Sequence, residues 1–99
     1  MIIRTVLVKL TDEWATDAGR SAVAEHSQQA LSAIPGVVEA HALVPADEKA
    51  LASWDVMFDV RFAAIEDVQP YAVHPLHVSF LEDYLNPKAA VKKAWNWSR

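Results

Sequence analysis

Tyr71, His74 and His77 lie within seven residues of one another in the string Tyr71-Ala-Val-His74-Pro75-Leu-His77-Val78. A neutral imidazole, with an ordinary pKa of about 6.5, can accept a proton near working pH, and a phenol can hold a carbonyl or enolate oxygen by a hydrogen bond. The pair suits proton removal beside a carbonyl. Pro75 has no amide hydrogen and a fixed φ, so it fits the first turn of a helix and keeps the preceding residue extended. His74 is therefore expected just outside a helix and His77 just inside it, where free amides gather. Val78, Leu81 and Leu85 follow at spacings of three and four, flanked by Phe80 and Tyr84, until Asn86-Pro87 ends the helix.

Each of these groups also has a structural reading. His74 before Pro75 can simply cap or pack against the helix it precedes. His77 can line a pocket or be a satisfied structural histidine. Tyr71 can be core packing with its hydroxyl tied to backbone. His74 and His77 fall on opposite sides of a helix start, so they do not make the same-face pair that a helical metal motif needs, and no metal is expected. His26, on a helix, and His41, on a strand, have no partner in sequence and are read as structural or surface groups. Glu82, Asp83 and the Lys92-Lys93 pair are read as solvated charge.

The elements that must position the string follow from periodicity. Ile2 to Leu10 is a strand with Arg4, Val6, Val8 and Leu10 on one face and Ile3, Thr5, Leu7 and Lys9 on the other. Trp14 to Ala33 reads as one long helix with Val23, Ala30, Leu31 and Ile34 at helical spacing. Gly19 inside it costs about 1 kcal/mol relative to Ala or marks a close approach, and Pro35-Gly36 ends it. Val37 to Val44 is a second strand, and Pro45 to Ser53 a polar connection. Trp54 to Phe62 alternates cleanly, with Val56, Phe58, Val60 and Phe62 opposite Asp55, Met57, Asp59 and Arg61. Ala63 to Tyr71 is a helix kept short or bent by Pro70. After the helix that Pro75 opens, Ala90 to Ser98 is a last strand with Trp95 and Trp97 on one face.

This order predicts a single α+β domain over residues 1–99, a ferredoxin-like β-α-β-β-α-β subunit whose four-stranded antiparallel sheet carries its helices on one face. The bare face, with Ile3, Leu7, Met57 and a Trp side of the last strand, predicts a homodimer with facing sheets. The sequence is 53% hydrophobic with four Trp, and its formal charge of -4 argues against nucleic acid or an anionic membrane as partner. With no Cys there is neither a disulfide framework nor thiolate chemistry. No apolar run approaches the roughly 20 residues that cross a bilayer, and no signal-peptide pattern opens the chain, so the expected location is cytoplasmic.

Lys9-Leu10-Thr11-Asp12, the Ile34-Pro35-Gly36-Val37 junction, Phe58-Asp-Val60-Arg-Phe62 and above all the Tyr-x-x-His-Pro-x-His-Val string resemble the Dabb family, the stress-responsive dimeric α/β-barrel domains. The resemblance covers nearly the whole chain. It implies a dimeric α/β barrel with a pocket between sheet and helices in each subunit. The family's best-understood enzymes resemble polyketide cyclases, which use a Tyr and a His matching Tyr71 and His77 and need no cofactor. On that resemblance His77 is the expected base and Tyr71 its orienting partner. Val6, Val8, Val56 and Phe58 are the expected apolar walls for a small hydrophobic or acyl ligand, with Arg4 near the rim. Asn96, standing where the family often has Asp, and His74 complete the expected substrate side. The alternatives are a non-catalytic barrel that binds a small hydrophobic ligand, and a cofactor-free oxygenase like the antibiotic-biosynthesis monooxygenases.

Overall fold

Alternation of apolar residues along the first strand lets both its faces be covered, and that strand is the centre of the sheet. The computed structural model describes residues Met1–Arg99. β1 (Ile2–Leu10) pairs antiparallel with β3 (Val56–Phe62) on one side and with β4 (Ala89–Ser98) on the other. β2 (Glu39–Leu43) adds antiparallel to the far edge of β3, so the order is β2-β3-β1-β4. This is the ferredoxin-like α+β arrangement that the element order implies.

Register assigns the faces. Arg4, Val6 and Val8 stand opposite Val60, Phe58 and Val56 on β3 and opposite Asn96, Ala94 and Lys92 on β4. Directly opposed residues of an antiparallel pair share a face, so all of these look toward the helices. α1 (Asp17–Ser32) lies across that face, and Val23 and Leu31 join Val8, Val56, Phe58, Val60, Phe62 and Ile34 in the buried core. Each such side chain contributes about 1.5–3 kcal/mol by leaving water.

Three local features depart from the sequence expectations. α1 begins at Asp17 rather than Trp14, because the chain first turns, with Trp14 and Ala15 amides donating to the Thr11 carbonyl. Thr16 then caps the helix, its hydroxyl accepting from the Gly19 amide at 3.0 Å. The close approach at Gly19 is to that turn, since a Cβ there would lie 2.1 Å from the Trp14 carbonyl oxygen. The connection from Pro45 to Ser53 is not all loop: it holds α2 (Glu48–Ser53), capped by Asp47, whose carboxylate accepts from the Ala50 amide at 2.8 Å. β3 starts at Val56, two residues after Trp54, because Asp55 has a different task.

Asp55 is 3% exposed. Its Oδ2 accepts from the Leu10 amide at 2.8 Å and its Oδ1 from Arg20 Nη1 at 3.2 Å, while its own amide donates to the Val8 carbonyl at 2.9 Å. One carboxylate thus joins the end of β1, the start of β3 and α1. Removing it leaves the buried Leu10 amide without its acceptor and Arg20 with Asp17 alone, so Asp55→Ala is expected to lower unfolding stability by about 2 kcal/mol in urea denaturation. A loss below about 1 kcal/mol would show that the carboxylate is not what joins these elements.

The opposite sheet face carries no helix. Trp95 and Trp97 are 46% and 57% exposed there, in register with Thr5 and Ile3. Leu7, Leu43, Trp54 and Met57 line a shallow apolar hollow beside them. Toward β2 the face becomes polar, with His41 bonded to Glu39 at 2.6 Å and Arg61 to Asp59 at 3.2 Å.

Candidate functional site

A break between two short helices shapes the site. A 3₁₀ turn, Ile65–Asp67, leads into α3 (Val68–Val73). Pro70 is tolerated because it is the third residue of that helix, where no amide has a helical acceptor. At His74 the backbone turns extended (φ −63°, ψ 137°), the conformation Pro75 imposes on the residue before it. α4 (Pro75–Ser79) then starts a new helix.

This break leaves the Ala72 carbonyl without the amide a continuous helix would supply from Leu76. The Leu76 amide donates instead to His74 Nδ1 at 3.1 Å. His77, one turn into α4, donates from Nδ1 to the Ala72 carbonyl at 2.9 Å. A carbonyl oxygen only accepts, so the proton of the neutral ring is on Nδ1 and Nε2 carries the free lone pair. The Tyr71 ring packs against His77 with centroids 4.4 Å apart and against Phe62 edge-on at 4.9 Å.

After Ser79 the helix widens. Phe80–Leu85 is π-helical, closed by the Asn86 amide bonding the Leu81 carbonyl at 2.8 Å. Phe80, Leu81 and Leu85 from this segment, Leu31 from α1 and Val6 and Phe58 from the sheet enclose a cleft of about 190 Å³. Tyr71, His77, Arg4 and Lys92 also line it. Outside the cleft, His26 stacks on Tyr84 at 3.7 Å, and Lys88 lies over the Tyr84 and Trp14 rings.

Burial sets the titration of the pair. It holds the His77 imidazole below its usual pKa of 6.5, against the pull of the Ala72 carbonyl, and the positive charges of Arg4 and Lys92 act in the same direction as burial. The ring is neutral near pH 7. Burial pushes the Tyr71 phenol up to about 12, with Arg4 pulling slightly the other way, so it remains a hydrogen-bond donor. The hydroxyl makes no hydrogen bond within the chain, although the residue is only 2% exposed. The one fully enclosed side-chain oxygen without a partner is that of Ser27, so the phenol oxygen reaches open space on the cleft side.

The expected site residues separate into two groups. Arg4, Val6, Phe58, Tyr71 and His77 come together around the cleft. Val8 is fully buried in the core and does not line it, and Val56 borders the hollow on the other side of the sheet. Alternation assigned both to the apolar wall, but they sit on the end of the sheet that α1 covers completely. His74 caps α4, and Asn96 accepts from Arg4 Nη1 at 3.0 Å, behind the lining rather than in it. Lys92, read from sequence as solvated charge, is a lining residue that donates to Asn86 Oδ1. Its signal was the alternation of β4: Trp95 and Trp97 mark the open face, so Lys92 and Asn96 must look the other way.

The Tyr71 shift has a consequence for stability. The unfolded phenol ionises near pH 10 and the folded one near 12, so unfolding releases a proton between those values and stability falls as pH rises through 10. Tyr71→Phe is expected to reduce that slope in denaturant titrations from pH 9 to 11.5, the remainder reflecting Tyr84, whose phenol burial also raises, and Lys92, whose lowered pKa acts in the opposite sense. An unchanged slope would mean that the Tyr71 hydroxyl is solvated.

Residues 2–91 match the Stress responsive A/B Barrel Domain family, Dabb. A Dabb-family protein of ferredoxin-like fold from Mesorhizobium loti is similar over 99% of this chain and 95% of its own, at 24% identity and a TM-score of 0.81. A dimeric protein of ferredoxin-like fold from Bacteroides fragilis matches over 99% and 95%, at 20% identity and a TM-score of 0.77. The hydroxynitrile lyase of Passiflora edulis matches over 97% and 90%, at 10% identity and a TM-score of 0.73. At these identities the likeness establishes the fold. No curated protein matches the chain. No helix is long and apolar enough to cross a membrane.

Proposed function

The chain belongs to the Stress responsive A/B Barrel Domain family, and on that premise we propose that its cleft removes a proton beside a ketone or acyl carbonyl, as a cofactor-independent cyclase or lyase does. One observation carries this reading. His77 is fixed through Nδ1 to the Ala72 carbonyl, which leaves a neutral Nε2 as base beside the unpartnered Tyr71 hydroxyl in a cleft of about 190 Å³. In the step, Nε2 takes the proton, the C–H electron pair moves into the carbonyl to give an enolate, and the Tyr71 hydroxyl donates to that oxygen. Nothing is oxidised or reduced. General-base catalysis of this kind contributes about 10²–10⁴ in rate.

A second reading, a barrel that binds a small apolar ligand without turnover, is favoured by the packing of Tyr71 between Phe62 and His77. Deuterium exchange at the α-carbon of a 3-oxooctanoyl thioester, followed by NMR in D₂O, separates the two. The protein is expected to accelerate exchange above the spontaneous rate, and His77→Asn, which keeps a donor for the Ala72 carbonyl but has no base, should return it to that rate with little change in melting temperature. The acid limb of the wild-type profile should have its midpoint below pH 6.5, because burial lowers the His77 pKa. Exchange that survives in His77→Asn, or never exceeds the spontaneous rate, would leave the binding reading.

We also propose that two chains pair through the helix-free sheet face. Trp95, Trp97 and Val91 are exposed there, an apolar patch of the kind that marks an interface, and the similar Bacteroides fragilis protein is dimeric. Sedimentation velocity at micromolar concentration is expected to give the mass of two chains, and the Trp95→Glu, Trp97→Glu double variant that of one. A wild-type monomer would overturn the pairing.

A further inference from the structure

The charges in the cleft face no acid. Arg4 from β1, Lys92 from β4 and His77 line it, and no Asp or Glu does. The chain's ion pairs engage Arg20, His41 and Arg61 only. Arg4 donates to the Asn96 amide oxygen at 3.0 Å, and Lys92 to that of Asn86. A neutral amide accepts a hydrogen bond but cancels no charge. In a chain with 13 Asp and Glu against nine Lys and Arg, every acid is absent from this one cleft.

Register shows how the charges are arranged. Arg4 is opposite Asn96, Val6 opposite Ala94 and Val8 opposite Lys92. The Val6–Ala94 pair therefore makes an apolar floor with a cation at each end, walled by Phe58, Phe80 and Leu81. Both cations act on His77, and Arg4 acts on Tyr71 as well. Partial burial holds Lys92 below its usual pKa, although the side chain stays exposed at the rim.

We infer that the cleft takes a small amphiphilic anion, an apolar body bearing a carboxylate, whose charge lies in the field of Arg4 and Lys92 and whose oxygen accepts from the Tyr71 hydroxyl. The cleft, about 190 Å³, is open on one side, so a longer apolar tail leaves through it. The inference rests on the cleft being the ligand site, but it does not need His77 to act as base. It names the substrate class of the proposed reaction: a keto or acyl compound with an acid group.

Isothermal titration calorimetry with octanoate and 1-octanol, equal in chain length and different in charge, tests it. At 20 mM salt octanoate is expected to bind at least tenfold more tightly than octanol. Raising salt to 500 mM should weaken octanoate severalfold and leave octanol unchanged, a readout that needs no variant. Lys92→Met and Arg4→Gln should each reduce the octanoate preference, and together remove it. His77→Asn should retain it. Equal affinities, a salt-independent preference, or a preference that survives in the double variant would overturn the inference while leaving the proton-abstraction reading intact. Failure of both probes to bind would overturn it together with the ligand-site premise, whereas an octanoate preference without α-exchange would remove only the base role of His77.

Discussion

The site depends on an amide hydrogen that Pro75 does not have. Without that donor the helix started at Val68 cannot run through, and the residue before the proline must be extended. The break does two things at once. It turns His74 into a cap for Leu76, and it strips the Ala72 carbonyl of its helical donor, so that the carbonyl is available to bind His77. A buried backbone carbonyl without a partner costs about 1–3 kcal/mol. The imidazole, five residues from the carbonyl it fills, therefore satisfies a need created by the proline, and its orientation is fixed by backbone rather than by another side chain.

The sheet provides the other half of the arrangement. Because residues opposed across β1, β3 and β4 share a face, Arg4, Val6 and Phe58 are delivered to the same side as Lys92 and Ala94 without any loop being involved. The helices then decide which part of that face stays open. α1 seals the end around Val8 and Val56, while the π-helical widening at Phe80–Leu85 shifts Phe80, Leu81 and Leu85 to the edge of the remaining gap. A tight α-helix there would place these side chains on a different azimuth. Extra helix width is a common way of making room beside a functional group.

Strand faces, the helix break and the Tyr71–His77 pair were legible in the sequence because each follows from a local rule: period two in Val56–Phe62, the geometry before Pro75, the spacing of the rings. The face assignment of Val8 and Val56 was legible too, but not their distance from the cleft, which depends on where α1 crosses the sheet. α2 had a readable signal in Asp47 followed by Glu-Lys-Ala-Leu-Ala, an acceptor and good helix formers. The widening at Phe80 had none, since an i to i+5 bond differs from an i to i+4 bond by packing, not by residue type. Lys92 was obscured by chemistry: adjacent lysines resemble solvated charge until the two tryptophans fix the alternation of β4.

Under the proposed function, the structural and the chemical role of His77 fall to the two nitrogens of one ring. Nδ1 serves the fold by satisfying Ala72, and in the neutral ring this keeps the proton on Nδ1 and leaves Nε2 unprotonated. Burial and the two neighbouring cations disfavour a second proton, so the ring that holds the helix break together is kept in its basic form. Under the proposed reaction those same cations would attract the substrate's acid group and the developing enolate, a favourable interaction with the product of proton transfer as well as with its reactant. The positive charge that lowers the basicity of His77, and moves it further from neutral pH, is thus offset by its stabilisation of what that base creates.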